Sequence, residues 1–158
     1  MTRRNFALYA GLAAVLSIPA MAADRPDFSG EWKLNVDKSD FGPMPPPTSQ
    51  VQKIDHKDPV IKINTAQSGA EGDVVVDAAY TTDGKESKNN IRGAEAKSIA
   101  KWEGDALLID TKLDFQGMEI TLKMSMKLSD DGKAINSKTK IMTPQGDFDL
   151  ASVFEKVK

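Results

Sequence analysis

Cysteine is absent from the 158-residue chain, and histidine occurs once. Without cysteine there is no disulfide, no thiol nucleophile, no thiolate metal site and no lipoprotein anchor, so the fold must be held by its own core. The single His56 lies beside the turn candidate Lys57-Asp58 and near Asp55. With no second histidine it supports neither a metal site nor a Ser-His-Asp arrangement, and it reads as a surface turn residue. Met124 and Met126 read as core rather than haem ligands. Asp37-x-x-Asp40 and Asp130-Asp131-Gly132 lack the spacing of a calcium loop, and no glycine-rich phosphate loop opens a helix. No catalytic residue, metal or cofactor is expected.

A surplus of one charge is lacking as well: 21 basic residues stand against 23 acidic, a net of −2. Losing Arg3 and Arg4 with a cleaved leader would move this to −4, a poor balance for nucleic acid or an anionic membrane. The one long apolar run, Phe6 to Ile18, is about 13 residues, short of the ~20 that span a bilayer as a permanent helix. Arg3-Arg4 before it and Ala20-Met21-Ala22 after it make residues 1–22 an export signal, cleaved after Ala22. Sec and twin-arginine routes both fit the paired arginines. The expectation is one soluble domain over residues 23–158, periplasmic or secreted.

What the chain does have is strand-length alternation. Four prolines between Pro43 and Pro47 form an extended connector that neither helix nor central strand can accommodate. Beyond it, runs of alternating residues are punctuated at Lys57-Asp58, Asp83-Gly84, Gly93-Ala94, Gly104-Asp105, Gln116-Gly117, Asp131-Gly132 and Gln145-Gly146. In a hairpin the paired positions share a face, so a true meander carries its apolar parity across every turn. Leu107, Ile109, Thr111, Leu113 and Phe115 meet Met118, Ile120, Leu122, Met124 and Met126 over Gln116-Gly117. The same face continues to Ile135, Ser137, Thr139 and Ile141, then to Phe148, Leu150, Ser152 and Phe154. Backwards it reaches Trp102, Ala100 and Ser98, then Ile91, Asn89 and Ser87, then Tyr80, Ala78 and Val76.

These runs predict an all-β fold: a single up-and-down antiparallel barrel of about ten strands with no substantial helix after the leader, closed by pairing the last strand with the first. Its inward face is mixed. Ser87, Asn89, Ser98, Thr111, Ser137, Thr139 and Ser152 sit among apolar neighbours, and each needs a hydrogen-bond partner, water or ligand, because an unsatisfied buried group costs ~1–3 kcal/mol. A lumen holding a small apolar or amphipathic molecule satisfies this. Candidate ligand-binding residues are Trp32, Trp102, Ile109, Met124, Leu150 and Phe154 as apolar wall, with Asn89, Ser98, Thr111, Ser137, Thr139 and Ser152 as polar groups. The alternative is a filled barrel acting as an envelope scaffold, with Pro43–Pro47 contacting a protein partner. A third reading, a lumen isomerase or cyclase, requires a buried titratable group.

Phe28-x-Gly30-x-Trp32-x-Leu34 resembles the first-strand signature of the calycin superfamily, the lipocalins and intracellular fatty-acid-binding proteins. Thr81–Glu86 (TTDGKE) and Val153–Val157 (VFEKV) are similar to a hairpin and the last strand of the fatty-acid-binding branch. The resemblance implies a barrel that carries a ligand, with Gly-x-Trp closing one end. It also implies an Arg-x-Tyr pair for a ligand carboxylate in the last strand and a helical lid after the first. The positions matching the pair are Ser152 and Phe154, which supply no cation, and the proline connector stands where the lid would be.

Overall fold

The computed structural model describes residues 24–157; the export signal expected at 1–22 lies outside the described residues. Ten strands follow in order: β1 (Gly30–Asp40), β2 (Ser49–Lys57), β3 (Val60–Gly69), β4 (Gly72–Thr81), β5 (Asp83–Ile91), β6 (Ala94–Glu103), β7 (Ala106–Phe115), β8 (Met118–Leu128), β9 (Ala134–Thr143) and β10 (Gly146–Lys156). Among the described residues there is no helix. Period-two patterning explains the strands: in β6, Ala94, Ala96, Ser98 and Ala100 are buried while Glu95, Lys97, Ile99 and Lys101 face water.

The registers follow the apolar parity. Ile109 pairs with Met124 across the β7–β8 hairpin, and Asp110 lies opposite Lys123 on the outer face. Met126 pairs with Ser137, and Ser137 in turn with Ser152. Three turns sit one residue from the expected dipeptide: the loop residues are Asp58-Pro59, Arg92-Gly93 and Pro144-Gln145. Arg92 and Gly93 both have positive φ, 51° and 87°, as do Gln116 and Gly117 at 55° and 79°. That is the primed turn whose twist matches the flanking strands.

The last strand pairs with the first, as Leu34 opposite Phe154 shows. In β1 the pairing register shifts between Asn35 and Asp40. Ser39 fills the irregularity, its hydroxyl donating to the Asn35 carbonyl at 2.7 Å and accepting the Val153 N–H at 3.0 Å.

The barrel does not close completely. The sheet order runs β4-β3-β2-β1-β10-β9-β8-β7-β6-β5, so β4 and β5 are its two edges. The Asp83-Gly84 hairpin expected to join them makes no ladder. Two side chains of β5 bridge the gap instead. The Asn89 carboxamide accepts the Ala79 N–H at 2.8 Å and donates to the Ala79 carbonyl at 3.0 Å. Ser87 Oγ accepts the Thr81 N–H at 3.1 Å. A carboxamide carries the same donor and acceptor as a peptide group, so Asn89 satisfies Ala79 as a neighbouring strand would.

Alternating connections put the β1–β2 connector and the β3–β4, β5–β6, β7–β8 and β9–β10 turns at one end, the mouth. The other end is a packed floor of Phe28, Trp32, Leu34, Ile61, Leu107 and Ile135. Trp32 has no exposed surface, and its Nε1 donates to the Phe28 carbonyl at 2.8 Å. Burying roughly 200 Å² of indole at ~25 cal/mol/Å² stabilises the floor by ~5 kcal/mol, an upper bound. Gly30, two residues earlier, has a φ of 136°, which an L side chain rarely adopts.

Candidate functional site

Above the floor lies a cavity of about 440 Å³, within the ~300–1,000 Å³ usual for small-molecule sites. One wall comes from β2 and β3, where Gln50, Gln52, Thr65 and Gln67 alternate with outward residues and line the space. The facing wall comes from β8, β9 and β10, with Met124, Met126, Ser137, Thr139, Leu150 and Ser152. Val76, Ala78 and Tyr80 of β4 complete the lining, and Phe154 sits low on the β10 side. Met44, Pro45 and Pro47 of the connector line its outer end with Phe41, Ile91 and Arg92. The connector thus occupies the position over the mouth, and three of its residues face the cavity.

The seven inward polar residues divide three ways. Ser137, Thr139 and Ser152 line the cavity. Ser98 and Thr111, directly opposite one another on β6 and β7, are buried and bond each other at 2.7 Å. Ser87 and Asn89 bridge the β4–β5 seam. Of the residues expected to touch a ligand, Met124, Ser137, Thr139, Leu150, Ser152 and Phe154 therefore stand at the cavity. Trp32 and Trp102 belong to the floor, Ile109 is packed core with 1% exposure, and Ser98, Thr111 and Asn89 are engaged elsewhere. On the β6–β7 side Ala100, Leu107 and Ile109 are buried in the main core, and Ala96 packs with Ala94 and Leu113 in a second cluster.

The glutamines were not anticipated. Carrying the inward parity across Asp58-Pro59 pairs Ile54 with Ile63 and His56 with Ile61, and the same parity places Gln50 and Gln52 inside. Gln52 Oε1 is buried without a hydrogen-bond partner, a state that a bound donor relieves.

His56 is not a surface turn residue. It is the eighth residue of β2, and its side chain is 3% exposed. Its ring lies 5.8 Å from both Phe28 and Trp102, which stack at 5.9 Å with an interplanar angle of 10°. Nδ1 accepts the Phe28 N–H at 3.2 Å, which requires that nitrogen to be unprotonated. Nε2 has no hydrogen-bond partner and stands 3.7 Å from Asp58 Oδ1. That oxygen accepts from Thr82 Oγ1 at 2.6 Å and Trp102 Nε1 at 2.9 Å. Partial burial works to raise the Asp58 carboxyl, and the Thr82 and Trp102 hydrogen bonds together with His56 outweigh it, leaving the group below its ordinary value. These groups lock the floor and do not line the cavity.

Among the cavity-lining residues the only charged side chain is Arg92, at the mouth. Burial pushes the Tyr80 phenol up, so it stays neutral in water of ordinary pH. The wall is therefore apolar surface interrupted by neutral amides and hydroxyls, able to orient a ligand but without a deep cation for an anionic group. Among the described residues no helix is long and apolar enough to cross a membrane.

Ten up-and-down strands, a Gly-x-Trp floor and a lumen open at the connector end define a calycin-like β-barrel. No family model matches the sequence, and no curated protein does either. The fold is similar to solved structures at low identity. A secretory abundant heat soluble protein from Ramazzottius varieornatus superposes with a TM-score of 0.61 at 13% identity, covering 82% of this chain and 95% of that one. The zebrafish ileal bile acid-binding protein, solved with cholic acid, gives 0.56 at 18% identity, over 82% and 98% of the two chains. Fatty-acid-binding protein 1 of Echinococcus granulosus gives 0.51 at 12% identity, over 83% and 98%.

Proposed function

We propose that the protein is an exported binding protein that holds a small apolar or amphipathic molecule in the barrel lumen. The observation that carries this is the one-sided cavity: an apolar lining of about 440 Å³ with neutral polar groups on two facing walls, open beneath the connector. Similar barrels bear names that speak of bile acid and fatty-acid binding, which favours a carrier over a filled scaffold. The leader at residues 1–22 supports export. Acid-base catalysis in the lumen has little to work with, since Tyr80 is the one buried titratable group of its lining.

Binding is tested by displacing the neutral dye Nile red with a panel of apolar and amphipathic compounds, followed by native mass spectrometry of the loaded protein. Saturable, one-to-one binding is expected, and Met124→Trp, which fills the space between the walls, should abolish it. Absence of binding by every compound and by the dye would refute the carrier. Export is tested by fractionating cells that make the tagged full chain; a mature product beginning at Ala23 outside the cytoplasm is the expected result.

A further inference from the structure

We propose that Arg92 is the headgroup site of this cavity: a single-chain anionic amphiphile binds tail first, and its headgroup takes Arg92 over from Glu71 at the mouth. The inference rests on the carrier reading and adds the charge and the orientation of the ligand.

Three features of the mouth converge on Arg92. The first is electrostatic. Arg92 is the only charged residue lining the cavity, and the connector and turns around the mouth (residues 41–48, 70–71, 92–93, 116–117 and 144–145) contain no other lysine or arginine. Deeper in, positions 152 and 154 are serine and phenylalanine, and the amides and hydroxyls of the walls carry no charge. An anionic group carried to the floor would lose its hydration without gaining a counter-ion, so it stays where the cation is while the chain takes the apolar space.

The second observation is the present partner. Arg92 Nη1 meets Glu71 Oε2 at 3.0 Å along the rim, from the β5–β6 turn to the β3–β4 turn on the other side of the seam. The Glu71 side chain is 81% exposed and that of Arg92 39%, so the pair is a screened surface contact that holds the guanidinium beside the opening at little cost. A carboxylate or sulfate anchored by its own buried tail competes for the same donors with a local concentration that free anions lack. The planar guanidinium can grip such a group through two parallel hydrogen bonds.

The third is the backbone. Arg92 sits at φ 51° in the first position of a two-residue hairpin turn, where asparagine or glycine is the favoured choice. Gln116 occupies the equivalent place in the β7–β8 turn without a charge. The left-handed turn thus places a long cation at the rim of the cavity, where the matching turn carries a neutral side chain. Asn90 Oδ1 accepts the Gly93 N–H at 2.9 Å and fixes the turn that carries it.

The test compares dodecanoate, dodecyl sulfate and 1-dodecanol, all below aggregation, as competitors for Nile red on the full mature protein and three variants. Arg92→Gln should weaken both anions roughly five- to tenfold and leave the alcohol and the dye unchanged, the size of one charge-assisted contact at a half-exposed site. Arg92→Lys should keep most of the anion affinity, and Glu71→Gln should raise it about twofold by removing a competing carboxylate. Raising ionic strength to about 0.5 M should reproduce the Arg92→Gln loss in the wild type. Equal binding of alcohol and anions, or equal losses for both in Arg92→Gln, overturns the headgroup assignment while leaving the carrier intact. Failure of the wild type to bind any of the three, or the dye, overturns the carrier reading and the headgroup site with it.

Discussion

Replacing Asn89 by alanine tests whether two side chains hold the barrel shut. The substitution removes two hydrogen bonds, at 2.8 and 3.0 Å, to the same residue of the neighbouring edge. Each is worth ~0.5–1.5 kcal/mol net, and the freed N–H and carbonyl of Ala79 regain part of this from water because the seam is half open; the expected loss is ~1–2 kcal/mol. For a domain of this size that lowers the melting temperature by ~3–8 °C. Ser87→Ala, which removes one such bond, should cost about half as much. Asn89→Asp is the sharper control: it keeps the acceptor but sets an anion against the Ala79 carbonyl oxygen, so it should be no more stable than alanine. Urea unfolding gives the global value and amide exchange the local one, with the Ala79 amide exchanging ~5–30-fold faster in Asn89→Ala. An Asn89→Ala protein that unfolds at the wild-type urea concentration, with Ala79 exchange unchanged, would refute the seam.

Ser98→Ala and Thr111→Val should each cost ~1–2 kcal/mol by stranding a buried hydroxyl, while the double variant loses clearly less than the sum; a strictly additive cycle in urea unfolding would mean that the 2.7 Å bond carries no coupling. Gly30→Ala should lose ~1–3 kcal/mol in thermal or urea unfolding, because its φ of 136° strains any L residue and an added Cβ stands 3.1 Å from Lys156 Cε. The Asp58 carboxyl lies below its ordinary value, so its contribution to stability is present above about pH 4, the usual aspartate value, and is lost as the pH falls through the lower folded value. Asn at this position keeps the acceptor and removes the charge, so the stability gap between wild type and Asp58→Asn should narrow as urea titrations move from pH 7 to pH 3; a constant gap would contradict the assignment.

Strand number, the face each residue takes and the pairing of first with last strand were legible because a side-chain period of two survives every short turn, while the exact register slipped at three turns that sit one residue from the expected dipeptide. Leu107, Ile109 and Thr111 could be matched to Met126, Met124 and Leu122 from parity alone. The seam was not legible, because parity says which face a residue takes and nothing about where backbone pairing stops. Asn89 on the inner face of an edge strand and Ser137 on an inner strand have the same signature in sequence, yet one bonds a peptide group and the other lines the lumen. Similarly, Ser98 and Thr111 looked like lumen groups until their opposition across one rung showed that they satisfy each other. His56 was misplaced because a lone histidine next to a turn was judged by its sequence neighbours, whereas the inward parity of Ile54 and Ile61 takes it into the floor. The mouth depends on three-dimensional proximity of connector, Glu71 and Arg92, which no local pattern encodes.

A barrel laddered all the way round has a fixed girth, since widening it by any amount breaks a row of backbone bonds at once. Here the circumference is interrupted between β4 and β5, and the side chains of Ser87 and Asn89 span the interruption along the strands, with the Arg92–Glu71 pair at its rim. Releasing those two side chains breaks no backbone rung of the sheet, whereas opening a closed ladder would break a whole row. In the proposed carrier, girth at the seam and charge at the rim would then be separate properties, open to substitution on a single strand and on the turn that follows it.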